Sequence, residues 1–423
     1  MHANIIGPIL LFVSLAVGTC AAAVFDVRAY GAKGDGATKD TAAIQAAVDA
    51  CSVAGGGTVE VPPGLYLSGT IYLKSNVDFH VGPGATIKGS KDKADYNAPD
   101  AFPQNSVSNA EHAFGAHLFV CLEQTNVTLR GPGTIDGNGA SFVLRPDGKH
   151  LPPKDIRWRP SQMIHFVECR DVRVQDLHLL NPTYWTLFLH GCTHVFVRGL
   201  EIDSGRTWDS FKDVYIYQGD GIDVDCCQHV SISDCHLRTA DDGITLRANG
   251  VKLKRPQDTR YVTIDNCTVS SGSCAFRIGV GNLKISDVTV SNIVIWDTRA
   301  ALDFCTSWGT NGVSYANLLF DNIAVSDCRW FLRASYHGIK GTDMRGIRFS
   351  NIRAKAEENS LIWGQPGHPI RDIRFTNVDC NAPIELINCE GCEIVGGTLK
   401  AAKLTPEEMA DRARQIANGR HPN

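Results

Sequence analysis

Apolar and polar residues alternate with a short period along most of this chain. From about residue 120 to residue 400, runs of the form Val-x-Val or Ile-x-Ile follow one another, and polar turns with Asn or Asp separate them. A period of two is typical of half-buried β-strands. The pattern therefore predicts a chain built of many short strands, with clear examples beginning at Val172, Val195, Val230, Val262 and Ile373.

These strands recur at a regular spacing. The runs at Val172 and Val195 begin 23 residues apart, and the wider gaps contain insertions at 206–212 and 249–258. A repeat of about 20 to 30 residues with short strands and no intervening helices is typical of a β-solenoid. Rossmann folds and α/β barrels need helices between their strands, and the pattern lacks them. We predict an all-β fold, a single-stranded right-handed parallel β-helix.

A helical pattern flanks the strands at each end. Apolar residues recur at helical spacing between 44 and 51, after the candidate caps Asp40 and Thr41. Residues 405–408 (Thr-Pro-Glu-Glu) form a capping box, which predicts a helix over about 405–418. We expect both helices to cover the ends of the solenoid, because open strand edges pair with other chains. Residues 24–423 would then form one domain.

The first residues predict export. An apolar run at 5–17 is followed by small residues up to Ala23, which is typical of a signal peptide over residues 1–23. Only His2 and the amino terminus supply positive charge, so an uncleaved anchor stays an alternative. No later segment has the length and apolarity to cross a bilayer. We expect a secreted or periplasmic protein without membrane contact after signal removal.

Composition narrows the possible partners. The 423 residues are 43% hydrophobic and 20% charged, with a formal net charge of -4, which indicates an ordinary folded chain. Nucleic acid or an anionic membrane as the main partner would need a basic surface, so the charge argues against both.

Fifteen cysteines in an exported chain would suggest disulfides. However, Cys169, Cys192 and Cys227 each stand three residues before an alternating strand, which predicts a buried stack of free thiols inside the solenoid. The pairs at 226–227 and 389–392 stay candidates for a bridge or a metal site. Neither has a second half at zinc-finger spacing.

The candidate chemistry lies in two short segments rich in carboxylates. Residues 218–223 read Gln-Gly-Asp-Gly-Ile-Asp, and residues 240–243 read Ala-Asp-Asp-Gly. Asp220 and Asp242 are 22 residues apart, about one repeat, so we expect them on adjacent coils about 4.8 Å apart. Like charges this close raise the pKa of one group and so place an acid beside a base. Glycoside hydrolysis uses such a pair.

Two other interpretations of these carboxylates stay open. Asp is common at turns, because its side chain hydrogen-bonds nearby backbone groups. Asp220, Asp223 and Asp225 could also form a calcium loop, although their spacing does not fit an EF-hand.

The same segments resemble glycoside hydrolase family 28, the polygalacturonase and rhamnogalacturonan hydrolase family. The family's Asn-Thr-Asp-Gly motif matches 218–221, its Asp-Asp pair matches 241–242, and the likeness runs from about Phe25 to Lys400. The resemblance implies inverting hydrolysis of a pectin-type polysaccharide or oligosaccharide without metal or cofactor. Asp241 would be the general acid, and Asp220 and Asp242 would hold the water. We expect a monomer.

Two motifs of the family are not kept. Its Gly-His-Gly is replaced by residues 273–275 (Ser-Cys-Ala), and its Arg-Ile-Lys by residues 301–303 (Ala-Leu-Asp), which lack a cation. Cys-Ala at the first position is similar to rhamnogalacturonan hydrolases and favours a mixed or side-chain linkage. Candidate substrate-binding residues, with arginines in place of the missing cations, are Arg277, Arg247, Arg299, Cys274, Gln218 and Trp208.

Two further functions compete with hydrolysis. A polysaccharide lyase on the same fold would need a basic proton abstractor, usually with calcium, and the carboxylate segments show no evident one. A glycan-binding β-helix without catalysis would explain the missing basic motifs.

Overall fold

The structure is a computed structural model that describes residues 23–105, 115–143, 145, 156–205, 218–305, 312–335, 342–365 and 367–417. The apolar run of the predicted signal peptide and Trp208 lie outside the described residues. Within the described ranges, no helix is long and apolar enough to cross a membrane.

The described residues form 30 strands and three α-helices. The helices are α1 (Thr41–Val53), α2 (Ala140–Val143) and α3 (Pro406–Ala417). The strands are β1 (Val24–Asp26), β2 (Asp35–Lys39), β3 (Gly57–Val61), β4 (Gly64–Ser68), β5 (Ile71–Tyr72), β6 (Val77–Val81), β7 (Ala85–Gly89), β8 (Phe119–Leu122), β9 (Thr125–Arg130), β10 (Thr134–Asp136), β11 (Ile164–Val167), β12 (Arg170–Gln175), β13 (His178–Leu180), β14 (Leu187–His190), β15 (Thr193–Arg198), β16 (Glu201–Asp203), β17 (Ile222–Asp225), β18 (Gln228–Ser233), β19 (His236–Thr239), β20 (Ile244–Ala248), β21 (Thr259–Asp265), β22 (Thr268–Gly281), β23 (Lys284–Cys305), β24 (Ser314–Ser335), β25 (Met344–Ala356), β26 (Ser360–Trp363), β27 (Ile370–Cys380), β28 (Ile384–Ile387), β29 (Cys389–Glu390) and β30 (Glu393–Gly397).

The strands pair in parallel with strands of the neighbouring coils and form three stacks. One stack runs β1-β3-β6-β9-β12-β15-β18-β21, and a second runs β2-β4-β7-β10-β13-β16-β19. The third runs β5-β8-β11-β14-β17-β20. From β22 onward, long strands turn the corners and belong to more than one stack. The predicted parallel β-helix is confirmed.

The register follows the repeat seen in the sequence. Val172 pairs with Val195, Val195 with Val230, and Val230 with Val262. These valines are all buried in one apolar core that follows the axis of the helix. The period of two is therefore an inward and outward alternation, repeated on each coil.

Asparagines form the corner between two stacks on the later coils. Asn292, Asn322, Asn351 and Asn377 all adopt a left-handed backbone conformation, with φ between 51° and 55°. Asn tolerates this conformation better than most residues. The side-chain amide of Asn322 donates to that of Asn292 at 2.7 Å, and Asn377 donates to Asn351 at 2.9 Å. The predicted Asn turns thus stack from coil to coil.

The predicted stack of thiols is confirmed. Cys169 donates from Sγ to the carbonyl of Cys121 at 3.1 Å, and Cys227 accepts at Sγ from the backbone N–H of Cys192 at 3.2 Å. Every cysteine of the described residues is free, including the pairs at 226–227 and 389–392. The described ranges also contain no group of three or more potential His, Cys, Asp or Glu metal ligands.

A helix packs near each end of the solenoid, as predicted. α1 buries Ile44, Ala47, Val48 and Cys51, the residues that the spacing selected. α3 begins with the predicted capping box, in which Thr405 N donates to Glu408 at 2.7 Å and Glu408 N donates back at 3.2 Å. Arg412 of α3 lies 5.6 Å from the ring centroid of Trp363. The helix therefore contacts the outward side of β26.

Candidate active site

The third stack brings the two carboxylate segments together. The pairing of β17 with β20 and of β20 with β22 continues beyond the strand ends. Gly221 N donates to the carbonyl of Asp242 at 2.9 Å, and Gly243 N donates to that of Cys274 at 2.8 Å. Asp220, Asp242 and Cys274 therefore occupy equivalent positions on three successive coils, as the spacing of the two aspartates predicted.

Glycine follows each of these aspartates for a steric reason. A Cβ at Gly221 would lie 2.5 Å from the carbonyl oxygen of Gly243, and one at Gly243 would lie 2.6 Å from that of Ala275. Such approaches are too close for any side chain, so the coils reach this spacing only with glycine. The Asp-Gly pattern is thus a packing requirement that fixes the position of Asp220 and Asp242.

Ser204 holds the two segments together, and no sequence motif points to it. Its buried hydroxyl donates to the carbonyl of Gly219 and accepts from the backbone N–H of Ala240, the latter at 3.0 Å. The backbone of Asp241 is held from the next coil, because Ser271 Oγ donates to its carbonyl at 2.6 Å. These bonds hold the turn before each carboxylate.

Burial and mutual repulsion change the acidity of this cluster. Asp220 and Asp242 are each 5% exposed, and Asp241 is half-buried. Burial raises the pKa of Asp220 well above its usual range, and the charges of Asp223, Asp241 and Asp242 raise it further. Burial also raises the pKa of Asp241 to about 7, with the Asp242 carboxylate as the next contribution. The sequence predicted one raised pKa, and the structure has two.

Asp242 differs from the other two because it has a cationic partner. Arg277 donates from Nε and Nη2 to its two carboxylate oxygens, with the Nη2–Oδ1 distance at 3.1 Å. The backbone N–H of Cys274 adds a third donor to Oδ1 at 3.2 Å. A bidentate guanidinium stabilises the ionised form. In the described part of the chain, no cation lies within 4.0 Å of the carboxylate of Asp220 or Asp241.

Arg277 begins a second stack, in which charges alternate. Arg277, Asp303 and Arg333 occupy equivalent positions on three coils. Asp303 Oδ2 lies 3.5 Å from Arg277 Nη1 and 3.7 Å from Arg333 Nη1. The position expected to lack a cation therefore lies between two arginines. Sequence reasoning missed Arg333, because it stands 30 residues beyond Asp303 without any motif.

The three arginines predicted to bind substrate have different surroundings. Arg277 holds Asp242, as described. Arg247 is buried, with Nε 3.1 Å from Asp225 Oδ2 and its guanidinium 4.5 Å from the ring centroid of Trp185. The Arg247 charge is thus used inside the protein, which is a correction to its predicted role as a substrate contact.

Arg299 is the predicted cation that stays available. It is half-buried, and in the described ranges no carboxylate lies within 4.0 Å of its guanidinium. The guanidinium lies 5.5 Å from the ring centroid of Trp330. Its positive charge is among the influences that lower the pKa of Asp241, so it lies close enough to act on that carboxylate.

Gln218 lies at the edge of the cluster, beside a cation that the sequence did not reveal. Its Oε1 accepts from Arg159 Nη2 at 3.2 Å. Arg159 is buried, donates from Nη1 to the carbonyl of Thr183 at 2.6 Å, and lies 4.9 Å from the ring centroid of Tyr184. Arg159 stands 59 residues before Gln218, so no local pattern connects them.

The calcium-loop interpretation does not fit the donors. Asp225 uses Oδ2 for Arg247, and its Oδ1 accepts from the backbone N–H of Asn249 at 2.6 Å. A carboxylate whose two oxygens are held by protein donors is a poor ligand for a hard cation. We therefore interpret Asp225 as a residue that positions Arg247.

Solved structures and curated sequences show similarity to this chain. The exopolygalacturonase of Thermotoga maritima superposes with a TM-score of 0.67 over 89% of this chain and 92% of its own, at 20% identity. This likeness shows the fold alone. A probable polygalacturonase of Vitis vinifera is 26% identical over 396 residues, 88% of this chain and 77% of that protein.

A bacterial relative is more similar in sequence. An exo-poly-alpha-D-galacturonosidase of Dickeya chrysanthemi is 37% identical over 349 residues, 71% of this chain. The chain spans only 56% of the length of that relative. The sequence pattern of glycosyl hydrolases family 28 matches residues 51–395, which include every described residue of the carboxylate cluster. The chain belongs to glycosyl hydrolases family 28.

Proposed function

We propose that this chain hydrolyses glycosidic bonds of a pectin-type polyuronate by an inverting acid–base mechanism. Family membership and the names of the relatives support this reaction class. The observation that carries the proposal is the difference between neighbouring aspartates, since Asp242 is paired with Arg277 whereas burial raises the pKa of Asp241 to about 7. One carboxylate is held ionised beside one that keeps its proton.

Asp241 is the general acid in this mechanism. A pKa of about 7 leaves its carboxyl group protonated in slightly acidic solution. It gives this proton to the glycosidic oxygen as the bond between that oxygen and the anomeric carbon breaks. The leaving sugar therefore departs as an alcohol.

Asp242 is the base that accepts a proton from the attacking water. Arg277 and the backbone N–H of Cys274 hold it ionised and fix its orientation. Asp220 lies on the neighbouring coil, and burial favours its protonated form, so it orients the water without deprotonating it. The water oxygen attacks the anomeric carbon in a single displacement, which inverts the configuration.

Arg299 is the contact that we assign to a uronate carboxylate. Its charge acts on Asp241 and has no carboxylate partner in the described residues, whereas Arg277 and Arg247 bind Asp242 and Asp225. Arg333 contacts the same ring of Trp330, with its guanidinium 4.6 Å from the centroid, but Asp303 lies 3.7 Å from it and offsets its charge. The Arg299 cation favours a uronate in the substrate, and the relatives named for galacturonan support a galacturonan over the mixed linkage that the missing motifs suggested.

Product release from a panel of pectins tests this function. Homogalacturonan, rhamnogalacturonan I and rhamnogalacturonan II are incubated with the parent, with Asp241→Asn and with the control Asp234→Asn, which changes an exposed aspartate. We expect new reducing ends from homogalacturonan with the parent and the control, and none with Asp241→Asn. Unsaturated, ultraviolet-absorbing products would indicate a lyase. No release from any polymer would contradict the hydrolase.

Export is part of the proposal, and it rests on the apolar run at 5–17 and the small residues after it. We expect protein recovered outside the cytoplasm to begin at Ala23 or Val24 when its amino terminus is sequenced. Full-length protein found only in the membrane fraction would indicate an uncleaved anchor instead.

A further inference from the structure

A groove crosses the last coils on a face other than that of the carboxylates. Val294, Ala324, Arg353 and Asp379 pair in register on four successive coils, and Thr398 N donates to Asp379 at 2.9 Å on the fifth. All five residues line one cavity of about 480 Å³. Four strand spacings of about 4.8 Å give it a length of about 19 Å.

A second cavity continues this one past the last coil. Its volume is about 540 Å³, and it shares Cys380, Asn381 and Thr398 with the first cavity. Residues 400–403 form its other side. We call the two cavities together the C-terminal groove. Its length suits an extended polymer better than a compact ligand.

Apolar side chains are exposed where the groove begins. Val294 is 48% exposed and lines it, and Trp296, two residues further along the strand, is 37% exposed. Their neighbours Ile293 and Ile295 are buried in the core. The exposed side chain of Val294 gives the groove an apolar contact surface. The C–H faces of pyranose rings pack on aliphatic and aromatic surfaces of this kind.

The rim of the groove is positively charged. The cations Arg353, Lys355, Lys400 and Lys403 line it together with one acidic residue, Asp379, in a chain of net charge -4; outside the lining, Asp327 Oδ1 lies 3.4 Å from Lys355 Nζ. In the described part of the chain, no carboxylate lies within 4.0 Å of the charged groups of Arg353, Lys400 or Lys403. An electropositive groove attracts a polyanion.

We propose that the C-terminal groove is a second, non-catalytic binding site for an acidic polysaccharide of the polyuronate class. The choice of a polyuronate rests on the proposed function, whereas the apolar floor and the cations are independent of it. Residues 293–295 and 300–305 of β23 belong to different faces, so the groove lies around a corner from the carboxylates. A polymer bound in the groove stays close to the active site, so its local concentration there is higher.

Affinity electrophoresis in gels containing polygalacturonate tests the groove. All proteins carry Asp241→Asn, so that the polymer is not cleaved. The groove variant is Lys355→Glu/Lys400→Glu, and the matched control Lys33→Glu/Lys91→Glu changes two exposed lysines near the other end of the solenoid by the same charge. At low salt we expect the apparent affinity of the groove variant to fall about tenfold and that of the control to stay unchanged.

A kinetic measurement with intact Asp241 gives an independent readout. We expect the groove variant to keep the parent kcat/KM on trigalacturonate and to lose several-fold on the polymer. If charge reversal disturbs thermal unfolding, Lys355→Gln/Lys400→Gln makes the same test with a smaller change. Equal gel retardation of the groove and control variants would overturn the proposal. Groove-dependent binding to anionic phospholipid vesicles, with none to polygalacturonate, would overturn it too.

The outcome is separable from that of the proposed function. Groove-dependent retardation without cleavage of any pectin would refute the hydrolase and leave the groove standing. Cleavage of homogalacturonan, with gel retardation of the groove variant equal to that of the parent, would support the hydrolase and refute the groove.

Discussion

Two stacks of like side chains run along this β-helix, and their chemistry differs. Cys169, Cys192 and Cys227 stack at a corner, where their sulfurs exchange hydrogen bonds with backbone groups of neighbouring coils. Asp220 and Asp242 stack in the same way on another face. Burial raises the pKa of the Cys192 thiol, so this thiol stays neutral and its burial stabilises the fold.

The carboxylates gain no such stability from stacking. Burial raises the pKa of Asp220 and Asp241, and neighbouring carboxylates raise it further, with Asp223 the largest of these for Asp220 and Asp242 for Asp241. Stacking on successive coils therefore stabilises the fold where the stacked side chain is neutral. Where the side chain can ionise, the same stacking shifts its pKa and makes it suitable for acid–base chemistry. Measurements of activity and of stability therefore distinguish the two stacks.

Asp241→Asn should have the largest effect of these substitutions, and it should lower activity without lowering stability. Loss of the general acid lowers kcat by about 10³-fold. The folded state binds the Asp241 proton more tightly than the unfolded chain does. In the parent, the free energy of unfolding therefore falls as pH rises from 3.8, the usual pKa of this group, through about 7. The midpoint of thermal unfolding at pH 8 should therefore stay equal or rise. A less than tenfold loss of kcat would contradict the assigned role.

Arg277→Gln should lower both activity and stability. Without Arg277, Asp242 would stay buried without its guanidinium partner. We expect this loss to lower the free energy of unfolding by about 3 kcal/mol and kcat by about 10²-fold. Urea unfolding and reducing-end release measure the two effects. Arg170→Gln, at an exposed arginine, is the control. Parent-like stability of Arg277→Gln would show that the pair does not hold Asp242.

Cys192→Ala should give the opposite result to Asp241→Asn. Removal of a fully buried sulfur lowers the free energy of unfolding by about 1 to 3 kcal/mol. We expect kcat per folded molecule to stay within about twofold of the parent, because the thiol lies in the core. Cys392→Ala, at a half-buried thiol, should cost less. Lost activity with unchanged stability would assign the cysteine stack a chemical role.

Arg299→Gln should have the smallest effect. Loss of one partly exposed ion pair with a uronate raises KM about fivefold. Because the Arg299 charge lowers the pKa of Asp241, its removal should move the alkaline limb of the pH profile to higher pH. A limb that moves to lower pH would show that Arg299 does not face the acid.

Much of the fold was predictable, because the strands of each coil show a local alternation of apolar and polar residues. The spacing of 22 that placed Asp220 beside Asp242 also separates Asp225 from Arg247, so the same reasoning would have found that ion pair. Ser204, Arg159 and Arg333 were different. They reach the site from coils of other lengths, where insertions hide the register, and none belongs to a motif.

The pH dependence of kcat/KM on polygalacturonate, from about pH 4 to about pH 9, tests the central claim most directly, because it reports the ionisation of the free enzyme. Asp241 is the proposed acid, and burial and Asp242 raise its pKa to about 7. We therefore expect kcat/KM to fall as pH rises through about 7. Activity that stays constant to pH 9, or that is already lost near pH 5, would contradict it.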